Sequence, residues 1–319
     1  QRKDVIRAQS VNAKTLRFAN YIVQVLRVLF EHSIDLGWRK DNPAKGIAIA
    51  VCDRAGVVTP VPSPGRHWRR GEAVDWLAGE IAAGGRLLIG IDCAFGLPIV
   101  PGVGYLDGRV PGVADMIALW DLVEGASAGA PDHFAGPAVL DPRLAPSFWI
   151  SGTTPVHWGD GSTKRRMTEV AAAAGGLGTP VSVFKLAAAA KQVGKASLAG
   201  MRSLRALRAA VGPDRLSVWP VEEPGRRRSV VVEIYPTLFR KAGGHGVRKI
   251  TDRAALAPAA ATLGATLSAT VPDSFDDHLG DALISAAGLR LFADRPEVWH
   301  PPGMTAEAAR AEGWIFGVV

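Results

Sequence analysis

An isolated carboxylate is costly to remove from water unless it is paired or bound to a cation. Acids set in apolar patterns are therefore the first candidates for chemistry, and three places in this sequence qualify. Asp92 ends the apolar run "RLLIGID". Glu233 lies inside "VVVEIYP", where alternation puts Val231 and Tyr235 on its face and Val230, Val232 and Ile234 on the other. Asp277 and Asp281 stand four apart in a helical pattern, with His278 three before Asp281, so these side chains can share a helix face. Oxygen ligands from Asp92, Glu233, Asp277 and Asp281 suit Mg²⁺ or Mn²⁺. Two such ions can activate a water and stabilise the leaving oxygen in phosphodiester cleavage. In that reading Asp92, Glu233 and Asp281 hold the metal and His278 supports them. Each residue also has an ordinary reading. A strand-end Asp caps the following turn. Glu233 can pair with the nearby "GRRR", Asp276 and Asp277 suit the positive end of a helix, and His278 can be a satisfied histidine at a helix start.

A second set of residues could contact phosphate. "STKRRMTE" and "AKQVGKAS" place Lys164, Arg165, Arg166, Lys191, Gln192 and Lys195 near helix starts or turns. There they can bind phosphate oxygens or form a solvated charged surface. Other chemistries find no support. "GGLGTP" lacks the Lys-Ser/Thr of a phosphate loop, and no Gly-x-Ser-x-Gly elbow occurs. The seven histidines form no His-x-x-x-His pair. Cys52 and Cys93 make neither a disulfide framework nor a zinc set; they read as core thiols of a protein in a reducing, cytoplasmic compartment.

Composition agrees with a globular chain: 319 residues, 48% hydrophobic and 21% charged. The formal charge of +7 suits an anionic partner such as nucleic acid without requiring one. The chain opens Gln-Arg-Lys-Asp with no apolar run after it, so no signal peptide is expected, and the missing initiator Met suggests a fragment. No stretch reads as a membrane span.

The elements that must position these residues change character near Gly46. Before it, "NAKTLRFANYIVQVLRVLFEHSIDLGW" carries Leu16, Ala19, Ile22, Val23, Leu26, Leu29 and Phe30 at helical spacing, which predicts a helix over 15–36. After it, "GIAIAVC" and "GVVTPVP" predict a hairpin around Asp53–Ala55. "GEAVDWLAGEIAAG" predicts a helix with Val74, Leu77 and Ile81 on one face, and "RLLIGIDCAFGLP" a buried strand of the kind found in parallel sheets. Residues 99–160, rich in Gly and Pro, read as an insertion holding one short helix, "VADMIALWDLV". Helices are expected at "KRRMTEVAAAAGG", "SVFKLAAAAKQVGKASLAGMRSLRALRAAVG", "TDRAALAPAAATLGA" and "DDHLGDALISAAGLRLFA", and a second buried strand at "SVVVEIYP".

In order, "GIDCAFGLP", "PVSVFKLAAAAKQVGKASLAGM", "WPVEEPGRRRSVVVEIYP", "DDHLGDALISAAG" and "EGWIFGV" resemble a bacterial family of RNase H-like predicted nucleases (domain of unknown function 429), over nearly all of residues 46–319. The resemblance implies an α/β fold with a central mixed sheet and helices on both faces. It also implies acidic positions at Asp92, Glu233 and Asp281, with His278 in a His-x-x-Asp-Ala pattern. Separately, "ANYIVQVLRVLFEHSIDLGWRKDNPAKGI" is similar to the last helices of the core-binding domain of tyrosine recombinases (phage integrases). Tyr21, Tyr105 and Tyr235 lie in no His-rich context, so recombinase chemistry is not expected.

RNase H-like domains carry an essential Asp at the end of their first strand. Its place here falls near Trp38, with Asp35 and Asp41 the only acids nearby. The expectation is therefore a helical remnant at residues 1–45 fused at "NPAKG" to an RNase H-like domain at 46–319, without the first strand and its metal ligand. Metal-dependent phosphodiester hydrolysis with Mg²⁺ or Mn²⁺ is the expected family chemistry, impaired in this chain. The alternatives are a module that binds nucleic acid or another phosphate ligand without cleaving it, its N-terminal helices a residual DNA-contacting arm, or an inert fusion product.

Overall fold

The computed structural model describes residues 46–100, 104–150, 153, 155, 164–180, 182–184, 186, 193–225 and 228–319, and the backbone of 22–28. Strands β1 (Ile22–Val28), β2 (Ile47–Cys52) and β3 (Val57–Val61) precede helix α1 (Arg70–Ala82) and strand β4 (Leu87–Ile91). Short strands β5 (Ile99–Val100) and β6 (Gly104–Tyr105) lead to α2 (Met116–Ala126), α3 (Gly136–Leu140), α4 (Met167–Ala174) and α5 (Gly194–Val211). Then come β7 (Leu216–Val218), β8 (Ser229–Glu233), α6 (Pro236–Ala242), α7 (Arg253–Thr262), β9 (Thr266–Leu267), α8 (Asp277–Ala293), α9 (Pro296–Trp299) and α10 (Ala306–Ala311).

One mixed sheet, in the order β7-β8-β4-β1-β2-β3-β9, organises the chain; β5 and β6 pair separately. The expected hairpin is present, β2 running antiparallel to β3 with Ile49 opposite Val61 and Cys52 opposite Val58. β4 is buried throughout and runs parallel to β1 on one side and β8 on the other. An apolar run in that setting needs no alternation, because both faces are covered.

The N-terminal expectation is corrected here. Residues 22–28 form a strand, not part of a helix, and occupy the slot between β2 and β4: Val28 lies opposite Ile47 antiparallel, and Leu26 lies level with Ile91 in parallel. "IVQVLRV" fits both periods, but its β-branched Ile and Val favour a strand. Pairing there also satisfies the backbone groups of β2 and β4 that would otherwise face an empty central position. A boundary at 45/46 therefore does not separate β1 from the sheet. β1 carries no acid: Gln24 and Arg27 are its polar residues, and its parallel register with β4 ends at Leu26 level with Ile91. Asp35, Trp38 and Asp41 lie outside the described residues.

Alternation along the strands builds two cores. Ile49, Leu87, Ile89, Ile91 and Val231 pack with Leu77 and Ile81 of α1, Leu119 and Trp120 of α2, and Leu198, Met201 and Leu204 of α5. Ala50, Leu88, Val230 and Val232 pack on the other face with Leu238 and Phe239 of α6, Leu256 of α7, Leu283, Ile284 and Ala287 of α8, and the C-terminal Trp314, Ile315, Phe316 and Val318. The long Ala-rich helix expected after Val181 begins only at Gly194 among the described residues; Val183 and Phe184 form a turn.

Candidate functional site

The parallel strands β1, β4, β7 and β8 end at one edge of the sheet, and Asp92 and Glu233 are there. In such sheets ligands bind outside the carboxyl ends of the strands where the chain's course reverses direction. That point falls beside β1, which leads to β2 on one side and has β4 on the other.

Glu233 is level with Ile91 and in step with Val231, so alternation aims it at the layer of α1, α2 and α5. Its carboxylate is fully engaged. Arg166 Nη1 donates to Oε2 at 2.7 Å and Nη2 to Oε1 at 2.5 Å, a two-pronged pair, and the Phe95 amide donates to Oε2 at 3.1 Å. The same guanidinium donates through Nε to Glu169 Oε1 at 2.9 Å and through Nη1 to the Glu312 carbonyl at 3.0 Å. Glu169 also accepts the Arg166 amide at 3.0 Å, closing the first turn of α4. Glu312 accepts the Ile99 and Met167 amides, each at 2.7 Å. One guanidinium thus serves two glutamate carboxylates and the main-chain carbonyl of a third glutamate, and Arg166, Glu169, Glu233 and Glu312 are all buried. Burial pushes the Glu169 and Glu312 carboxyls above the usual range, against the pull of Arg166 and the backbone donors. Burial also works against the charge on Arg166, but Glu233 and Glu169 outweigh it and raise its pKa.

Asp281 belongs to the opposite layer. It is buried on α8 and bonds Arg240 Nη1 of α6 and Lys249 Nζ, the latter at 2.8 Å. Arg240 also donates to Thr237 Oγ1 at 2.7 Å, and Lys249 reaches Asp277 at 3.1 Å. Asp277 and Asp281 do share a face, as their spacing predicts, and what they share there is a lysine. His278 Nε2 lies 3.9 Å from Asp277 Oδ1. Asp276 caps α8, accepting the Leu279 amide at 2.8 Å.

The structure therefore does not bring the expected acids around one cation. Glu233 and Asp281 lie in different layers, and each is matched by arginine. Among the described residues no three His, Cys, Asp or Glu side chains are grouped to hold a metal ion. Asp92 is half-buried at the strand end, and its charge and that of Glu233 both act on the buried Cys93. Burial, reinforced by those two acids, raises the Cys93 thiol well above its ordinary value, so it is an inert core thiol.

The expected phosphate contacts divide. Arg166 is not available to a ligand, being buried among carboxylates. Arg165 and Lys195 are exposed and Lys164 is half-buried; Lys191 and Gln192 lie outside the described residues. Lys164 and Arg165 immediately precede Arg166, and Lys195 sits in the first turn of α5, so both stretches adjoin residues tied to the 92–95 loop. Glu233 Oε2 ties Arg166 to Phe95, and Ser197 Oγ ties the first turn of α5 to the Ala94 amide at 3.1 Å. Gly200 lets α5 approach that loop closely: a Cβ there would lie 2.4 Å from Cys93 Sγ.

Sequence reasoning missed Glu169, Glu312, Arg240 and Lys249. "RMTE" was the available signal for the first, since Arg and Glu three apart at a helix start can bond each other. Comparison with protein families, curated proteins and solved structures returns no match to this chain.

Proposed function

We propose that this chain is an RNase H-like domain that binds nucleic acid or another phosphate ligand at the carboxyl edge of its central strands, and that it is not an efficient metal-dependent nuclease. The observation that carries the reading is the commitment of Glu233 to Arg166, with Asp281 likewise held by Arg240 and Lys249. A carboxylate paired with a guanidinium must break charge-assisted bonds before it can ligate Mg²⁺ or Mn²⁺, and its positive neighbour repels the ion. The mixed sheet with helices on both faces supports the RNase H-like part. So does the antiparallel pairing of β1 with β2, which supplies a first strand, though one without an acid. Binding is supported by Lys164, Arg165 and Lys195, which flank in sequence the residues tied to the 92–95 loop, and by the N-terminus of α5, whose amides favour anions.

The test is fluorescence anisotropy with a labelled single-stranded oligonucleotide over a range of salt. Three cationic contacts to a single strand give a slope of log K against log salt of about −2. Arg165→Ala and Lys195→Ala should each lower affinity and flatten that slope, leaving the fold unchanged by circular dichroism. Binding that ignores both substitutions, or no binding at low salt, contradicts the reading.

A further inference from the structure

Two consecutive residues of the inserted segment hold a left-handed backbone: Asp132 at φ 48° and His133 at φ 54°. Asp and His tolerate this better than most side chains, but the conformation persists only where neighbours over-determine it. Here the neighbours act from two helices, α1 and α5. On α1, Arg70 Nη1 donates to the Asp132 carbonyl at 3.2 Å and to Oδ2 at 3.4 Å, and the Gly71 amide donates to Oδ1 at 3.0 Å. On α5, buried Arg202 donates to the carbonyls of Ala130 at 3.2 Å and Phe134 at 2.6 Å. Its other donors reach Glu124 of α2 at 2.7 and 3.0 Å. His133 Nδ1 lies 2.9 Å from Ser203 Oγ on α5. The turn thus pins the inserted segment to α1 and α5.

The charges facing the imidazole are Arg202 on α5, Arg70 on α1, Glu124 on α2 and the adjacent Asp132. Burial first, and Arg202 next, favour the neutral ring, while Asp132 and Glu124 oppose them in part, so the His133 pKa lies below its ordinary 6.5.

We propose that residues 130–134 form an acid-released latch: a proton on His133 puts a third cation beside Arg70 and Arg202, and the strained turn lets go of α1 and α5. The sign follows from the depressed pKa. The unfolded turn takes up a proton more readily than the folded one, so the latch holds above the ordinary histidine value and weakens as pH falls through the folded one. The released state frees the inserted segment carrying α2 and α3, whose exposed apolar side chains include Phe134 and Leu140.

Hydrogen exchange of the full chain, followed by mass spectrometry at about pH 7.5 and about pH 5.5 and corrected for intrinsic rates, tests this. Peptides spanning 127–140 should lose protection several-fold at the lower pH, while β4 and β8 keep theirs. His133→Asn accepts a left-handed backbone and sets a polar atom near the place of Nδ1, but cannot charge, so it should abolish the pH effect. An equal loss in His133→Asn, or none in the wild-type chain, overturns the proposal. Should the variant not fold, titration of the His133 ring by NMR decides. A midpoint below the ordinary histidine value, with the 130–134 amides broadening in step, supports the latch; a midpoint at or above that value overturns it.

Discussion

Replacing Arg166 by Met keeps much of the side-chain volume and removes the guanidinium that pairs with the buried Glu233 and Glu169 carboxylates and bonds the Glu312 carbonyl. Arg166 is 2% exposed, Glu169 1%, Glu312 2% and Glu233 3%, so solvent screens the charges little. Removing one partner of a buried pair typically costs about 3–5 kcal/mol, most of it the penalty of the carboxylate left behind. For a domain of this size each kcal/mol lowers the melting temperature by about 2–4 °C, so Arg166→Met should melt roughly 6–20 °C lower. Part of that loss should return at low pH, where the stranded glutamates can protonate. Adding Glu233→Leu should also recover part of it by removing one buried charge. Urea melts of the single and double variants at two pH values measure all three effects. A cost below about 1 kcal/mol for Arg166→Met, typical of an exposed pair, would refute the picture of a desolvated cluster that Arg166 neutralises.

Other outcomes follow from the same geometry. The raised Glu169 and Glu312 carboxyls mean that the native state holds their protons more tightly than the unfolded chain does. Their contribution to stability is therefore fully present below the ordinary value of 4.5 and is lost as pH rises through the folded values. Glu312→Gln should flatten that decline in a series of denaturation curves, whatever it does to stability at one pH. Gly200→Ala forces a methyl against Cys93 Sγ and should cost about 1–3 kcal/mol in a thermal melt, with Cys93→Ala in the same chain returning part of it. Arg240→Met strips Asp281 of a buried partner and leaves Lys249; calorimetry should show a loss of about 3–5 kcal/mol.

The parts legible in the sequence were those whose pattern is local. The β2–β3 hairpin, the all-apolar β4, Glu233 at the end of β8, and the Val74, Leu77 and Ile81 face of α1 all appear where periodicity puts them. β1 was misread because Ile22–Val28 satisfies two periods at once, and only the open slot between β2 and β4 decides between them. The candidate site was legible as a set of acids but not as a set of pairs. Glu233 finds its partner 67 positions away and the Glu312 carbonyl finds the same arginine 146 away, distances at which a sequence pattern carries no register. The basic run "TKRR" shows the same limit: Arg165 faces solvent while Arg166, next to it, is buried, a split that only the fold creates.

The central claim is that Glu233 at the strand end and Asp281 on α8 are committed to arginine, and the function proposed from it is that this edge holds a phosphate ligand without cutting it. A single-turnover reaction tests it directly: a 5′-labelled single-stranded oligonucleotide with excess protein in Mn²⁺, sampled on native and denaturing gels. The account predicts retarded but full-length oligonucleotide throughout the time course. Shortened product that forms only with the metal and disappears in Asp92→Asn would contradict it, and would return these carboxylates to the role of metal ligands.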